Sequence, residues 1–156
     1  CRRNVRAGIG CRETAEPIIR GNKCSENRRA GIGCRMGAKP LIVGNECRDN
    51  GLVAIGVTDR SSATILDNDL SRTGGPEPIV AVRDGAAATI QGNRISGGGV
   101  AALLVQGKVT ACDNSFAARG GNQGLAVWIW DGSTATLNGN SYEGFRTNVK
   151  GKVLGE

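Results

Sequence analysis

Two aspartates are the candidates for acid–base chemistry in this sequence. Asp59 follows the segment AIGVT, and Asp84 follows the similar segment IVAVR. A glycoside hydrolase needs two carboxyl groups at a fixed separation, and about 5 Å is typical of a retaining enzyme. A polysaccharide lyase needs a Ca²⁺-binding acidic cluster beside a basic residue, for which Asp59, Asp84 and Arg83 are the local candidates. The sequence contains no histidine, which excludes Ser-His-Asp and Cys-His catalytic groups and the usual histidine metal sites.

Arginines and tryptophans occupy corresponding places along the chain. Arg12, Arg35 and Arg83 each follow a short stretch of alternating apolar residues, and Trp128 and Trp130 stand at the end of the last such stretch. Guanidinium groups bind carboxylates through two parallel hydrogen bonds, and indole rings offer flat surfaces on which sugar rings stack. These five residues are therefore the candidates for a ligand-binding face. Two alternatives stay open: the arginines only solvate the strands, each offset by a nearby aspartate, and the tryptophans are buried beneath the C-terminal segment.

A repeat of 23 residues places all of these side chains. The block from Gly21 to Val43 matches the next block, Gly44 to Leu66, position for position, and residues 1–20 form the same unit without its first three residues. Later copies keep the register but contain insertions and deletions. An asparagine recurs at one corner of the copies: Asn22, Asn45, Asn68, Asn93, Asn114 and Asn140. Self-similarity at such a period indicates a stack of structural repeats.

Within each copy, apolar residues alternate with small or polar ones, as in a β-strand. Gly-Asn corners separate two or three short strands per copy, which leaves no room for a helix. Each apolar column persists from copy to copy while its outward neighbours vary, as stacked coils around one core require. We therefore predict an all-β parallel β-helix of about six coils, roughly 23 residues per coil and about 30 Å long at the spacing of parallel strands. A left-handed β-helix would show a hexapeptide period, which this sequence lacks, so the predicted parallel β-helix is right-handed.

The repeat also predicts how the chain is divided and how the polar side chains at its corners are hydrogen-bonded. Residues 1–143 are expected to form the coils, and residues 144–156 a non-repeat C-terminal segment that folds back on the stack or caps it. Side-chain amides of the asparagine column are expected to hydrogen-bond from coil to coil inside the stack.

The chain opens at Cys1 in the middle of a repeat, so we expect an upstream segment to have been removed. An uncapped N-terminal coil would expose an unpaired strand edge and allow end-to-end self-association.

Three motifs resemble a known family. ATILDND (63–69), ATIQGNRI (88–95) and ATLNGNSY (135–142), each combined with a G-I-x-V type of strand, resemble the right-handed parallel β-helix repeats of pectin-lyase-like enzymes and of carbohydrate-binding and sugar-hydrolase proteins. Proteins that mature periplasmic copper enzymes share these repeats. The resemblance implies an extended polysaccharide along the outward face and a bacterial extracytoplasmic location, with a Ca²⁺ cofactor only if the chain is a lyase. The absence of histidine departs from the galacturonidase and mannuronan-epimerase members of this fold.

Composition limits the partners. The 20 lysines and arginines exceed the 14 aspartates and glutamates, and a net charge of +6 favours anionic partners. The basic residues are spread over several columns and aromatics are only 3% of the chain, which argues against nucleic acid. No apolar run approaches the roughly 20 residues that span a bilayer.

The six cysteines are expected to be reduced thiols that fill the core. Cys1, Cys24 and Cys47 share one column, Cys11 and Cys34 share another, and Cys112 stands alone at an outward position. In-register side chains on parallel strands rarely present disulfide geometry, and no CxxC spacing indicates a metal site. These features predict no metal cofactor and argue mildly against a strongly oxidising compartment.

Two functional hypotheses follow from the sequence. The first is a non-catalytic β-helix module that binds carbohydrate, an acidic polysaccharide in particular, or a protein along its outward Arg/Gly/Trp face. The second is a fragment of a polysaccharide lyase or glycoside hydrolase whose acidic site lies near Asp59 and Asp84.

Overall fold

The computed structural model describes residues 1–119 and 124–155, which form a β-solenoid of three parallel sheets. Strands that are neighbours in a sheet lie one coil apart in the sequence, so each coil adds one strand to each sheet. The described part of the chain contains no helix. The all-β architecture and the stacking of coils are therefore as predicted.

Sheet 1 consists of β1 (Ile9–Arg12), β4 (Ile32–Arg35), β7 (Ile55–Val57), β10 (Val80–Val82), β13 (Ala101–Val105), β16 (Leu125–Ile129) and β19 (Thr147–Lys150). Sheet 2 consists of β2 (Ile18–Arg20), β5 (Leu41–Val43), β8 (Ser62–Leu66), β11 (Ala87–Gln91), β14 (Lys108–Cys112) and β17 (Thr134–Asn138). Sheet 3 consists of β3 (Lys23–Ser25), β6 (Glu46–Arg48), β9 (Asp69–Arg72), β12 (Arg94–Gly97), β15 (Ser115–Ala118) and β18 (Ser141–Glu143).

The core is a set of stacked apolar columns. Ile42 pairs with Ile65, which pairs with Ile90, and all three are fully buried. The equivalent column of sheet 1 passes through Ile32 and Ile55. Burial of one such side chain stabilises the fold by about 1.5–3 kcal/mol, so each coil depends on its neighbours for its core.

The predicted asparagine ladder is present. The backbone N–H and the side-chain Nδ2 of Asn45 both donate to Oδ1 of Asn68, at 2.8 and 3.0 Å. Nδ2 of Asn45 also donates to the carbonyl oxygen of Ile19 at 2.8 Å. The same pattern continues through Asn93 and Asn114, so buried amides at this corner are satisfied from coil to coil.

A second asparagine ladder lies at another corner and was not predicted. Asn4 donates to Oδ1 of Asn27 at 2.8 Å, and Asn27 donates to Oδ1 of Asn50 at 2.9 Å. Each residue before these asparagines has a left-handed backbone, for example Asp49 with φ of 49°. The ladder ends in the fourth coil, where Thr73 donates its backbone N–H and its hydroxyl to Asp49 Oδ1 instead.

The C-terminal segment, residues 144–156, adds a strand to the end of sheet 1. Strand β19 pairs in parallel with β16, and Val149 aligns with Val127 of the core column. Phe145, Val149 and Val153 are half-buried against the same core. Apolar side chains at these places are sufficient to add a strand to sheet 1 although the corner asparagine and the glycine strand motif are absent.

The six cysteines are free in the structure. Cys11 aligns with Cys34, and Cys24 aligns with Cys47, as the column assignment predicts. In the second pair a hydrogen bond from Cys47 lowers the pKa of Cys24 to about 7, and the same hydrogen bond together with burial raises the pKa of Cys47.

Burial therefore predicts which thiols react in the native protein. Cys1 is exposed and Cys112 is half-buried, whereas the other four thiols are buried. A thiol reagent such as dithionitrobenzoate is expected to label Cys1 and Cys112 rapidly and the remaining cysteines only after unfolding in guanidinium chloride. Rapid native labelling of Cys34 or Cys47, located by peptide mapping, would show that the columns are not part of a closed core.

Candidate functional site

A groove runs along the outward face of sheet 1 over the first four coils, and we call it the sheet 1 groove. Its volume is about 820 Å³. The floor is the outward column of the strands: Gly10, Gly33, Gly56 and Ala81. One wall follows the ends of these strands: Arg12, Arg35, Thr58 and Arg83. The other wall precedes the strands: Arg6, Arg29, Leu52 and Glu77.

Backbone hydrogen bonds hold the second wall in register. The N–H of Arg29 donates to the carbonyl of Arg6 at 3.4 Å, and the N–H of Leu52 donates to the carbonyl of Arg29 at 3.2 Å. Glu77 occupies the equivalent place of the fourth coil, 25 residues after Leu52, the same step that separates Asn68 from Asn93. The two walls therefore place side chains at the same repeat spacing on both sides of one floor.

Glycines create the groove because they lack side chains. A β-carbon added at Gly10 would meet no atom within 4 Å, and one at Gly33 would meet only Ala30 and Ala7, at 3.7 and 3.9 Å. The space above the floor is thus open at these two glycines, and it narrows at Gly56, where a β-carbon would stand 3.1 Å from Val53 Cγ2. It closes in the fifth coil, where the equivalent floor residue is Leu104, which is 4% exposed.

Within the part of the chain that the structure describes, the groove arginines form no ion pair with a carboxylate. Among the described residues the ion pairs shorter than 4.0 Å belong to Arg2, Arg3 and Arg48, and all lie outside the groove. Hydrogen bonds from Arg3 and then Arg2 lower the pKa of Glu26, as expected for a paired carboxylate. Within the described residues, neither Arg12 nor Arg35 forms an ion pair with an aspartate, and both side chains are exposed.

Asp59 and Asp84 lie beside the groove rather than at its centre. They occupy the turns that follow β7 and β10, with left-handed φ values of 51° at both residues. Together with Met36, Gly37 and Arg60 they line a separate crevice of about 580 Å³. The hydroxyl of Thr58 donates to Asp84 Oδ2 at 2.6 Å. Asp84 also reaches the rim of the groove, as does Arg83, so the structure brings the three acid–base candidates into one neighbourhood.

Trp128 and Trp130 do not line the groove. Trp128 aligns with Leu104 and Lys150 on sheet 1, and Lys150 Nζ lies 5.0 Å from the centre of its ring. Trp130 is 45% exposed, and the two ring centres are 5.6 Å apart at an angle of 47°. The ring of Trp128 is therefore partly covered by β19, in line with the alternative that the tryptophans lie beneath the C-terminal segment. The ring of Trp130 remains accessible beyond the closed end of the groove.

Comparison with known proteins assigns the architecture. A family model for the right handed beta helix region matches residues 2–141. The chain belongs to the right-handed β-helix family. Comparison with curated proteins and with solved structures finds no match. The family therefore accounts for the solenoid and its ladders, while the chemistry of the groove has to be argued from its own residues.

No group of three or more His, Cys, Asp or Glu side chains is placed to hold a metal ion in residues 1–119 and 124–155. The same ranges include no helix with the length and apolar character needed to cross a membrane.

Sequence reasoning missed one wall of the groove. Arg6, Arg29 and Glu77 were not among the candidates because they lie in the bends before the strands, where strict alternation no longer predicts direction. A signal was present: NVRAGIG and NRRAGIG place Arg6 and Arg29 at the same position of consecutive copies.

Proposed function

We propose that this β-helix protein is a non-catalytic module that binds an acidic polysaccharide along the sheet 1 groove. The observation that supports the proposal is the pair of arginines in each of the first two coils: Arg6 with Arg12, and Arg29 with Arg35, on opposite sides of a glycine floor. These four side chains are exposed and have no ion-pair partner within the described residues.

The chemistry of these residues suits carboxylate or sulfate groups on an extended chain. Guanidinium groups bind such anions in a bidentate manner, and an exposed contact of this kind contributes up to about 1 kcal/mol. Affinity would therefore depend on several arginines acting together. Parallel strands are about 4.8 Å apart, so successive coils offer successive anion sites along a linear polymer.

A folded protein is a poorer fit to the same groove. Protein interfaces concentrate their affinity in buried aromatic or arginine anchors that fill pockets on the partner. The described lining of the sheet 1 groove includes no aromatic residue, and its floor consists of three glycines and Ala81. A narrow, hydroxylated and charged polymer complements this surface better than a globular partner does.

The test is a calorimetric titration with oligogalacturonates of defined length, comparing the natural chain with Gly33→Leu. A leucine at this position should fill the groove, since a β-carbon there meets only ordinary contacts and Gly33 does not have a left-handed φ. We expect Gly33→Leu to lose at least about tenfold in affinity while the melting temperature changes little.

This variant leaves every charge in place, so it separates groove binding from general attraction to a basic protein. Equal affinity of the natural chain and Gly33→Leu would contradict the proposal, as would the absence of any binding by the natural chain.

A second candidate function is catalysis on the same polymer, favoured by the crevice that Asp59 and Asp84 line next to the groove. It predicts that reducing or unsaturated ends appear when the protein is incubated with the oligogalacturonates, and that Asp84→Asn abolishes them. Binding without new ends supports the non-catalytic module, and new ends that depend on Asp84 support a lyase or hydrolase.

A further inference from the structure

Arg72 is a buried arginine whose hydrogen-bond partners are backbone carbonyls. It is 9% exposed at the end of β9. Its Nε donates to the carbonyl oxygen of Gly74 at 2.8 Å, and its Nη1 donates to the carbonyl oxygens of Leu52 and Pro78 at 2.5 and 3.4 Å. The Arg72 side chain therefore links Gly74 and Pro78, which lie on either side of Glu77 in the sequence, to Leu52. Leu52 is the neighbour of Glu77 in the groove wall.

The next coil holds the same loop from the other side. The N–H of Val100 donates to the carbonyl oxygen of Pro76 at 3.0 Å. Gly99 has φ of 126°, and a β-carbon there would stand 2.2 Å from the carbonyl oxygen of Glu77. Only glycine permits this close approach. The backbone around Glu77 is therefore held by Arg72 on one side and by Gly99 and Val100 of the next coil on the other.

Glu77 brings a negative charge into the wall of a groove whose first two coils carry arginines as their charged residues. Its side chain is half-buried in the wall, and within the described residues it forms no ion pair. Asp84 stands at the rim of the same coil, beside Arg83. The lining therefore changes along the axis from two pairs of arginines, through Leu52 and Thr58, to a fourth coil that combines acids with one arginine.

Such a change of lining discriminates between sugars. A uronate carboxylate bound in the fourth coil would lie near Glu77 and Asp84 and be repelled by them. A hydroxyl group donates to a carboxylate and accepts from a guanidinium, so a neutral sugar can pair with Glu77 and Arg83 together. The first two coils would still bind carboxylates.

We propose that Glu77, positioned by Arg72, makes the groove select an acidic oligosaccharide that carries a neutral, hydroxyl-bearing sugar at the fourth coil. This inference rests on the proposed binding function and adds to it a specificity residue and a fixed direction of the ligand in the groove.

The test compares three tetrasaccharides: tetragalacturonate and its two derivatives in which the carboxyl group at one end or the other has been reduced to the alcohol. The natural chain is expected to bind one of the two derivatives about fivefold more tightly than tetragalacturonate. Glu77→Gln should remove this preference by raising the affinity for tetragalacturonate, because the repulsion is gone. Glu16→Gln, an exposed glutamate outside the groove, is the control and should keep the preference.

Arg72→Met tests the positioning role. It should reduce the preference while affinity for tetragalacturonate stays within about threefold, because the arginine pairs are untouched; if it does not fold, the result with Glu77→Gln decides. An unchanged preference in Glu77→Gln, or no preference in the natural chain, overturns the inference alone. Failure of all three sugars to bind overturns the proposed function as well.

Discussion

Replacing Asn45 by leucine is expected to lower the free energy of unfolding by about 3–5 kcal/mol, since each buried polar group left without a partner costs about 1–3 kcal/mol. Oδ1 of Asn45 accepts from the backbone N–H and the side chain of Asn22, at 2.9 and 3.1 Å. Its Nδ2 donates to Asn68 Oδ1 and to the Ile19 carbonyl oxygen. Leucine removes all of these bonds at once from a residue that is 2% exposed.

The measurement is urea unfolding followed by circular dichroism, with Asn138→Leu as the matched control. Asn138 is exposed on the outward side of β17, so the same substitution there should change the free energy of unfolding by less than about 0.5 kcal/mol. A loss below about 1 kcal/mol for Asn45→Leu, or an equal loss for both variants, would mean that the ladder contributes little to stability.

The solenoid could be predicted because its core columns repeat in the sequence, as Ile42, Ile65 and Ile90 do. One residue type recurs at one period, and a one-residue slip would expose the whole column, so register and fold follow together. The second ladder was missed because it has three members, Asn4, Asn27 and Asn50, before Thr73 replaces it. Strand β19 was missed because its pairing depends on tertiary contacts of Val149 with the core rather than on a repeated motif.

Replacing Arg12 and Arg35 together by glutamine is expected to weaken oligogalacturonate binding about tenfold or more. Two exposed guanidinium contacts of up to about 1 kcal/mol each correspond to such a factor. The two residues are neighbours across β1 and β4 and line one wall of the groove. The remaining affinity should fall further as salt rises from about 0.05 to 0.5 M, because exposed charges are screened.

The matched control is the double replacement of Arg20 and Arg94 by glutamine. Both arginines are exposed and lie outside the groove, so the change of net charge is identical. Calorimetry should give the control an affinity within about twofold of the natural chain. An equal loss in the two double variants would indicate that binding responds to net charge and not to the groove.

The candidate site was predictable only in part. Alternation along the strands placed Arg12, Arg35 and Arg83 correctly on one outward column, which became one wall of the groove. The same alternation placed Trp130 on that column and Leu104 on the neighbouring floor column, but it did not show that Leu104 packs against Ala81 and ends the groove before the tryptophans are reached. Arg6, Arg29 and Glu77 depend on the path of the bends, which only the packing of successive coils determines.

Backbone amide chemical shifts test groove binding most directly. In a ¹⁵N-labelled sample titrated with tetragalacturonate, we expect the largest changes at the floor amides of Gly10, Gly33 and Gly56 and at the adjacent arginines, with little change along sheets 2 and 3. The same titration of Gly33→Leu should leave these resonances almost unshifted. Shifts concentrated on sheet 2 or sheet 3, or none at any floor glycine while binding is detected, would contradict the assignment of the sheet 1 groove as the binding site.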